Sequence, residues 1–403
     1  MYQRIKDFKH RLGSGEKTLY FAKVDVQAAF DTVPQAAILK LMRNMLSHPQ
    51  YSILKHFEIQ AGEGVANSVG GKPSRRWRSS AMAAGDPGGF QELAQQLAPN
   101  KKNTIFVDSV VQKSYDTHGL LALLSSHIEQ NLVKIGKKYF RQKDGIPQGS
   151  VLSSILCNYF YADLEHEHLY FLHADSSDDS MLLRLIDDFL LVTTDCAKAA
   201  RFVRIMHSGL PAYGVRVNPA KTLVSFELVV DGAPVPRIET GQWFPYCGTL
   251  LDTRTLDVAK DRGHSRDPVV FNGLTVEFAR TPGANFRRKV LNAFRIQSHL
   301  MFFDTAHNAP QAVLRNIHGA FAETATKMWA YVRCLPRAKQ PRSGLVVGAC
   351  PTARAHRLLA VLTPGSDTIK ELIDVAFRLL TSKSRTSRYL GYKCVVNKAQ
   401  VTW

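Results

Sequence analysis

Two adjacent carboxylates, Asp187 and Asp188, stand between apolar runs in "LLRLIDDFLLVTTD", Leu182 to Asp195. Met181 to Ile186 and Phe189 to Thr194 combine branched and aromatic side chains between polar stretches, which predicts two strands meeting at a tight turn. Like charges beside a core repel, so solvent, a basic group or a divalent cation must compensate them. An isolated Asp-Asp pair is also what a solvated hairpin turn carries. A third carboxylate changes the balance, and "AKVDVQAAFDTVP" supplies it: Asp25 ends an alternating apolar segment from Leu19 that reads as a strand. Three carboxylates from separate strands suit metal-assisted phosphoryl transfer, in which two Mg²⁺ ions roughly 4 Å apart activate the attacking hydroxyl and brace a triphosphate. In "KDGIPQGSVLSSILCNYFYADLE", Gly145 and Gly149 flank Pro147 and Gln148. That leaves little bulk beside an amide side chain, so backbone can approach a flat ligand such as a nucleotide pair. The same glycines could simply punctuate a helix start.

The elements that would position these groups follow from periodicity. "YQRIKDFKHRL" has helical spacing, and "PQAAILKLMRNML" is a second helix with Pro34 near its first turn. Glu58 to Val69 suggests a hairpin, and "GGKPSRRWRSSAMAAGDPGG" reads as a basic Gly/Ser-rich loop. A helix is expected from Gly119 to Ile135, then a strand over "KKYFRQ", a break at Gly145, Pro147 and Gly149, and a long helix from about Val151. "DCAKAARFVRIMHSGL" predicts a helix, and "KTLVSFEL" and "FPYCGTLLDTRTLDV" short strands. Beyond about Lys260, Arg-, Ala- and Leu-rich stretches with helical spacing ("FRRKVLNAFRIQSHLMFF", "TIKELIDVAFRLL") predict a separate helical domain.

With 403 residues and 45% hydrophobic content the chain can bury a sizeable core and form two or three domains. Lys plus Arg number 52 against 34 Asp plus Glu, a formal charge of +18, which favours a polyanionic partner such as nucleic acid. Six cysteines without a CxxC pair argue against a zinc ribbon or a secreted disulfide framework and fit a reducing compartment. No apolar run approaches the ~20 residues a bilayer span needs, and the start of the chain is too polar for a signal peptide. The expectation is a soluble intracellular protein without a membrane partner. "LEHEHLYFLH" fails the HExxH spacing because Tyr170 stands where the second His would be, and "GGKPS" lacks the rest of a phosphate-binding loop. The terminal "KSRTSR" fits a solvated face as well as a nucleic-acid contact.

In order, "YFAKVDVQAAFDTVPQ", "GIPQGSVLSSILCNYFYADLE", "LLRLIDDFLLVTTD", "VNPAKTLVSF" and "FPYCGTLLDTRTLDV" resemble motifs A, B, C, D and E of the telomerase reverse transcriptases. "TVEFARTPGANFRRKVLNAFRIQSHLMFFD" resembles the start of that family's thumb. The resemblance implies an α+β fold: a reverse-transcriptase palm, an antiparallel sheet flanked by helices, followed by a mainly α-helical thumb. Residues 1–260 would be palm with partial fingers, with an insertion at about 51–135, and 261–403 the thumb or C-terminal extension.

The resemblance also implies roles. Asp25 matches the motif A metal ligand, and Asp187 with Asp188 the motif C pair, together holding two Mg²⁺; Asp31 reads as structural. Phe30 falls at the aromatic position that contacts the incoming sugar and excludes a 2′-hydroxyl. Gln148, Gly149 and Ser150 match the turn against the nascent base pair, and Lys221 a basic residue near the triphosphate. Tyr246, Cys247 and Gly248 match the primer grip, where the family often has Trp in place of Tyr246. Arg75, Arg76, Trp77 and Arg78 fall where the family contacts the template-primer duplex, without a pairing by position, and Arg287 and Arg288 mark a basic thumb helix. The implied activity is RNA-directed DNA polymerisation that extends chromosome 3′ ends by copying a template within a bound RNA. Its partners would be telomerase RNA, a telomeric single-stranded DNA primer, the RNA-DNA duplex and deoxynucleoside triphosphates, in the nucleus at the telomere.

In the family, motifs 1 and 2 and an RNA-binding domain precede motif A, which here begins close to Met1. The expectation is therefore the C-terminal part of a longer polymerase, a truncated gene model or a short isoform. The rival readings are an inactive nucleic-acid-binding fragment and a retroelement-type reverse transcriptase. Most of the latter carry Tyr or Phe before the Asp-Asp pair, where this chain has Ile186.

Overall fold

The computed structural model describes residues 1–334 apart from 14, 16, 61–73, 84–88, 102, 173–178, 240 and 264–298, of which last stretch only 285, 288, 289, 292 and 297 are placed. In chain order the elements are α1 (Tyr2–Leu12), β1 (Tyr20–Asp25), α2 (Ala29–Thr32), α3 (Gln35–Met45), β2 (Gln50–Gln60), β3 (Ser74–Ala83), α4 (Gly89–Leu97), β4 (Thr104–Asp116) and α5 (Thr117–Glu129). There follow β5 (Leu132–Ile135), β6 (Lys138–Arg141), α6 (Ser153–His168), β7 (Ser180–Leu185), β8 (Asp188–Thr193) and α7 (Cys196–His207). The last are β9 (Leu223–Val224), β10 (Val229–Val230), β11 (Ala233–Pro234), β12 (Trp243–Tyr246), β13 (Thr249–Asp252), β14 (Val258–Lys260) and α8 (Pro310–Cys334). Two compact units result, one from Met1–Asp25, Leu169–His207 and the chain from Val217 on, the other from Val26–His168 and Ser208–Arg216.

The first unit is built on an antiparallel sheet in the order β7-β8-β1-β9. Strand β8 is central, and its residues from Phe189 to Thr193 are buried without alternation, as expected when both faces are covered. One face carries Phe21, Met181, Leu183, Leu190 and Val192 into a cluster with Ile5 and Phe8 of α1, Phe244 and Tyr246 of β12, and Val313 and Ile317 of α8. Phe21 and Phe244 are the centre of it, their rings 5.1 Å apart. Against β1 and β8 packs α7, which buries Ala199, Phe202, Val203 and Met206. Phe202, Val203 and Met206 each contribute about 1.5–3 kcal/mol on burial. A second sheet, β12-β13-β14, is tied to the helical C-terminal part by Asn316, whose amide donates to Val258 O and Phe302 O and accepts from Lys260 N.

In the second unit α3 packs on α5 and α6, and α2 on α6. Two glycines fix its loops. Gly145 has φ +76, and a Cβ there would lie 2.4 Å from Phe30 O; Gly214 has φ +63, and a Cβ would lie 1.9 Å from Thr32 O. Only glycine fits either place. A three-stranded sheet, β3-β2-β4, and a two-stranded sheet, β5-β6, complete the unit.

Strands β1, β7, β8, β9, β12 and β13 and helices α1, α3, α6 and α7 stand where the periodicity predicts them, and the fold is α+β with antiparallel sheets. The region between α3 and the Gly145 turn differs. Residues 74–83 form a strand rather than a loop, paired with β2 from Tyr51↔Ala83 to Gln60↔Ser74. The expected hairpin at Glu58–Val69 is thus part of a longer one, whose connection, 61–73, lies outside the described residues. β3 is an edge strand, and Arg75 to Arg78 and Ser79 on it are exposed, so no apolar alternation marks it. The helix expected to reach Ile135 stops at Glu129, because Leu132–Ile135 pairs with Lys138–Arg141 across a two-residue Gly136-Lys137 turn with Gly136 at φ +62. "TIKELIDVAFRLL", "KSRTSR", Arg287, Cys350 and Cys394 lie outside the described residues. None of the four described cysteines is in a disulfide, and among the described residues no helix is long and apolar enough to cross a membrane.

Candidate active site

In the first unit β1 and β8 run antiparallel from Tyr20↔Thr193 to Asp25↔Asp188, so two of the three carboxylates end adjacent strands as direct partners. Asp187 sits beside them in the two-residue β7-β8 turn, whose flanking pair is Leu185↔Asp188. Ile186, the other turn residue, has φ +58. A β-branched residue rarely adopts that conformation, and the strain, of order 1–3 kcal/mol, is borne by the buried strands on both sides.

The carboxylates feel one another. Burial pushes Asp187 above the ordinary carboxyl range, and the charge of Asp25 adds to it. Asp188 is raised by burial, then by Asp187 and Asp25, with Lys23 opposing. Lys23 lies two residues before Asp25 and shares its strand face. Lys221 closes the cluster: its Nζ is 2.9 Å from Asp25 Oδ2, and that hydrogen bond holds the ammonium above its usual range. The residue ends a short 3₁₀ turn, Pro219–Lys221, capped by the Asn218 side chain on Ala220 N.

Among the described residues no group of three or more His, Cys, Asp or Glu side chains is disposed to hold a metal ion as it stands. Asp25 instead has Oδ2 on Lys221. The donor chemistry nevertheless fits a hard divalent cation: three carboxylates on neighbouring backbone positions, two with proton affinity raised by burial and then by the charge of neighbouring carboxylates, and one already bonded to an ammonium. Asp25, Asp187 and Asp188 are the residues that could hold it.

Behind Asp188 lies the β12-β13 turn. Cys247 and Gly248 have φ +46 and +73, the two left-handed positions of a type I′ hairpin turn. Tyr246 is 2% exposed and its hydroxyl donates to Asp188 O at 3.0 Å, while the Cys247 thiol donates to Asp188 Oδ2 at 3.7 Å. Burial and the Asp188 charge push the thiol up to about 11, so it remains a donor at neutral pH. The Tyr246 phenol is thus turned towards the strand that carries Asp188.

In the second unit Phe30 is half-buried on α2, whose N-cap, Ala28, has φ +50. Phe30 O accepts from Ile146 N at 2.7 Å, tying this residue to the glycine turn. Gln148 is exposed, and its amide donates to both carboxylate oxygens of Asp31 at 2.9 and 3.0 Å. Asp31, read as structural, therefore orients Gln148. Gly149 has φ +83 and open space around its missing Cβ. Ser150 Oγ is 2.9 Å from His127 Nε2 on α5, a contact that nothing in the spacing announced.

Arg75 and Trp77 are exposed on β3. The Arg75 guanidinium lies 3.8 Å from the Phe57 ring centre and 4.9 Å from that of Trp77. Arg78 Nε instead reaches the buried Glu58 at 3.6 Å. Arg288 is exposed.

A family model described as reverse transcriptase (RNA-dependent DNA polymerase) matches residues 71–276, about half of the chain. The telomerase reverse transcriptase of Bos taurus is 30% identical over 362 residues, which cover 86% of this chain and 31% of that protein. That of Canis lupus familiaris is 33% identical over 335 residues, 79% of this chain and 28% of that one. The Arabidopsis thaliana protein of the same description is 26% identical over 352 residues, 80% and 30%. The chain spans about a third of the length of the curated relatives it matches. A structure of telomerase from Candida albicans in complex with a TWJ fragment of telomeric RNA superposes with a TM-score of 0.58 at 18% identity, covering 98% of this chain and 54% of that one, a likeness of fold alone.

Proposed function

The chain belongs to the reverse transcriptase (RNA-dependent DNA polymerase) family, and from that premise we propose that it is the palm and thumb portion of a telomerase catalytic subunit, which extends a DNA 3′ end by copying an RNA template. The observation that carries the reading is the pairing of Asp25 with Asp188 at adjacent strand ends, with Asp187 beside them. Residues 1–260 would serve as palm with partial fingers and 261–403 as thumb.

Asp25, Asp187 and Asp188 would hold the divalent cations, two Mg²⁺ in this reading. Such ions supply charge to the triphosphate and make the primer hydroxyl a better nucleophile. The protein's own groups do the positioning. Tyr246 and Cys247 hold Asp188 by its carbonyl and its carboxylate, so its orientation is set before substrate arrives. The exposed ammonium of Lys221 would turn from Asp25 to the triphosphate, since a cation binding Asp25 competes with it. Phe30 would face the sugar and Gln148, oriented by Asp31, the nascent pair. The +18 charge and the exposed Arg75, Trp77 and Arg288 would carry the RNA-DNA duplex through backbone contacts. A telomerase RNA, a telomeric primer, deoxynucleoside triphosphates and a nuclear, telomeric location belong to the same proposal.

The experiment is incorporation of one deoxynucleotide on an RNA-templated DNA primer under single-turnover conditions with Mg²⁺, comparing wild type with Asp187→Ala. The chain is placed in a full-length polymerase so that upstream elements are present. Incorporation by the wild type that Asp187→Ala removes supports the reading. Equal incorporation by both would remove Asp187 from the chemistry, and RNA-independent incorporation would exclude a reverse transcriptase.

A further inference from the structure

The β5-β6 hairpin of the second unit has no role in that reading. Every residue of both strands is exposed, although Leu132, Val133, Ile135, Tyr139 and Phe140 are large and apolar. An isolated two-stranded sheet is marginal in water, so this one depends on its anchorage and on what covers it. Its base is anchored: the Gln142 amide donates to Asp144 O at 2.9 Å and Ile146 O at 3.3 Å, and Asn131 donates to Gln142. The hairpin is therefore tied directly to the turn that carries Gln148.

The pairing sorts its side chains onto two unlike faces. Partners Leu132↔Arg141 and Lys134↔Tyr139 share one face; Val133↔Phe140 and Ile135↔Lys138 share the other. The first is cationic and aromatic, with the Lys134 ammonium 5.4 Å from the Tyr139 ring centre. The second is mostly apolar. Over the whole stretch Gln130 to Lys143 there are five basic residues, Lys134, Lys137, Lys138, Arg141 and Lys143, and no acidic one. A ring that is 67% exposed, flanked by cations on one sheet face, is the chemistry of a stacking platform for an unpaired base with its phosphates neutralised alongside.

We propose that the Lys134, Tyr139 and Arg141 face binds single-stranded RNA, with Tyr139 stacking on a base. RNA is the occupant because β6 leads directly into the Gln148 turn, and in the polymerase reading the unpaired strand next to the nascent pair is the template. The proposal rests on that reading for its choice of RNA over DNA, and on the geometry alone for the stacking face.

The test is equilibrium binding of the purified 403-residue chain to a fluorescent single-stranded RNA, with single-stranded DNA of the same sequence as a second arm. Tyr139→Ala should weaken RNA binding roughly tenfold, and Tyr139→Trp should restore it. Lys134→Ala with Arg141→Ala should make the slope of log affinity against log salt shallower by about 1.4. Phe140→Ala, on the opposite face, should leave affinity within about twofold. Unchanged affinity in Tyr139→Ala, or equal loss in Tyr139→Ala and Phe140→Ala, would overturn the stacking face. Loss confined to the DNA arm would overturn the choice of RNA. None of these outcomes requires catalysis, so each leaves the polymerase reading to its own assay.

Discussion

The two units handle charge in opposite ways. In the first, Asp25, Asp187 and Asp188 are gathered at the end of a sheet whose central strand β8 is buried on both faces, and Lys221, Tyr246 and Cys247 are bonded to them. In the second, Arg75 and Trp77 on β3 and Lys134, Tyr139 and Arg141 on β5-β6 lie along exposed strands. Crowded charge at a rigid buried edge raises proton affinity and calls for a cation. Charge spread along an exposed ladder costs little and suits a polyanion.

The contrast breaks most visibly at the carboxylates. Asp25→Asn and Asp187→Asn should each lower primer extension on the order of 10³-fold, about 4 kcal/mol of charge stabilisation, with the fold kept. Thermal unfolding of Asp187→Asn should be at or above the wild-type midpoint, since it removes a repelled, partly buried charge. A lowered midpoint would make Asp187 a structural residue.

Next is Gly145→Ala, which should cost about 2–4 kcal/mol, because φ is +76 and the new Cβ meets Phe30 O and Asp31 backbone. Gly149→Ala, with open space, should cost about 1 kcal/mol. Hydrogen exchange should show the Gly145→Ala loss in amides of 26–168 and not in β1 and β8. Uniform loss would erase the distinction between the units.

Tyr246→Phe removes one buried hydrogen bond, worth about 1–2 kcal/mol. If the phenol positions Asp188, kcat should fall several-fold with KM for the nucleotide unchanged, and Tyr246→Trp should recover part of it. A rise in the KM for primer alone would assign Tyr246 to primer contact instead.

The smallest effect concerns Asp304. Burial pushes its carboxyl up, but hydrogen bonds from Lys6 and Tyr2 outweigh this and hold it below the ordinary value of 3.8. A depressed carboxyl stabilises the fold above its ordinary value, and the contribution is lost as pH falls through the lowered one. Asp304→Asn should flatten the acid side of the first unit's stability profile by less than about 1 kcal/mol, Lys6 being partly exposed. An unaltered profile would remove the pair from the ledger.

The same contrast governs what the sequence reveals. β8 is legible because burial on both faces demands a continuous apolar run, and β1 because its apolar residues alternate; Asp25 and the Asp-Asp pair stand out against them. Gly145 is legible because the backbone of Phe30 excludes a Cβ. β3 is not, since an exposed edge strand places no demand on its side chains, and its Arg and Ser residues read as a loop. β5 hides in the helical pattern of α5 because four exposed residues set no period. The Tyr246 bond to Asp188 and the His127 bond to Ser150 join residues far apart in sequence, and no local pattern encodes them.

Everything in the first unit turns on whether its three carboxylates act together on a divalent cation. Mn²⁺ titration of the purified chain, followed by electron paramagnetic resonance without nucleic acid, tests this directly, Mn²⁺ standing in for Mg²⁺ at hard oxygen ligands. The wild type should take up Mn²⁺, the Asp25→Asn, Asp187→Asn double variant should not, and Lys221→Ala should bind more tightly because the competing ammonium is gone. Equal uptake by wild type and the double variant would contradict it.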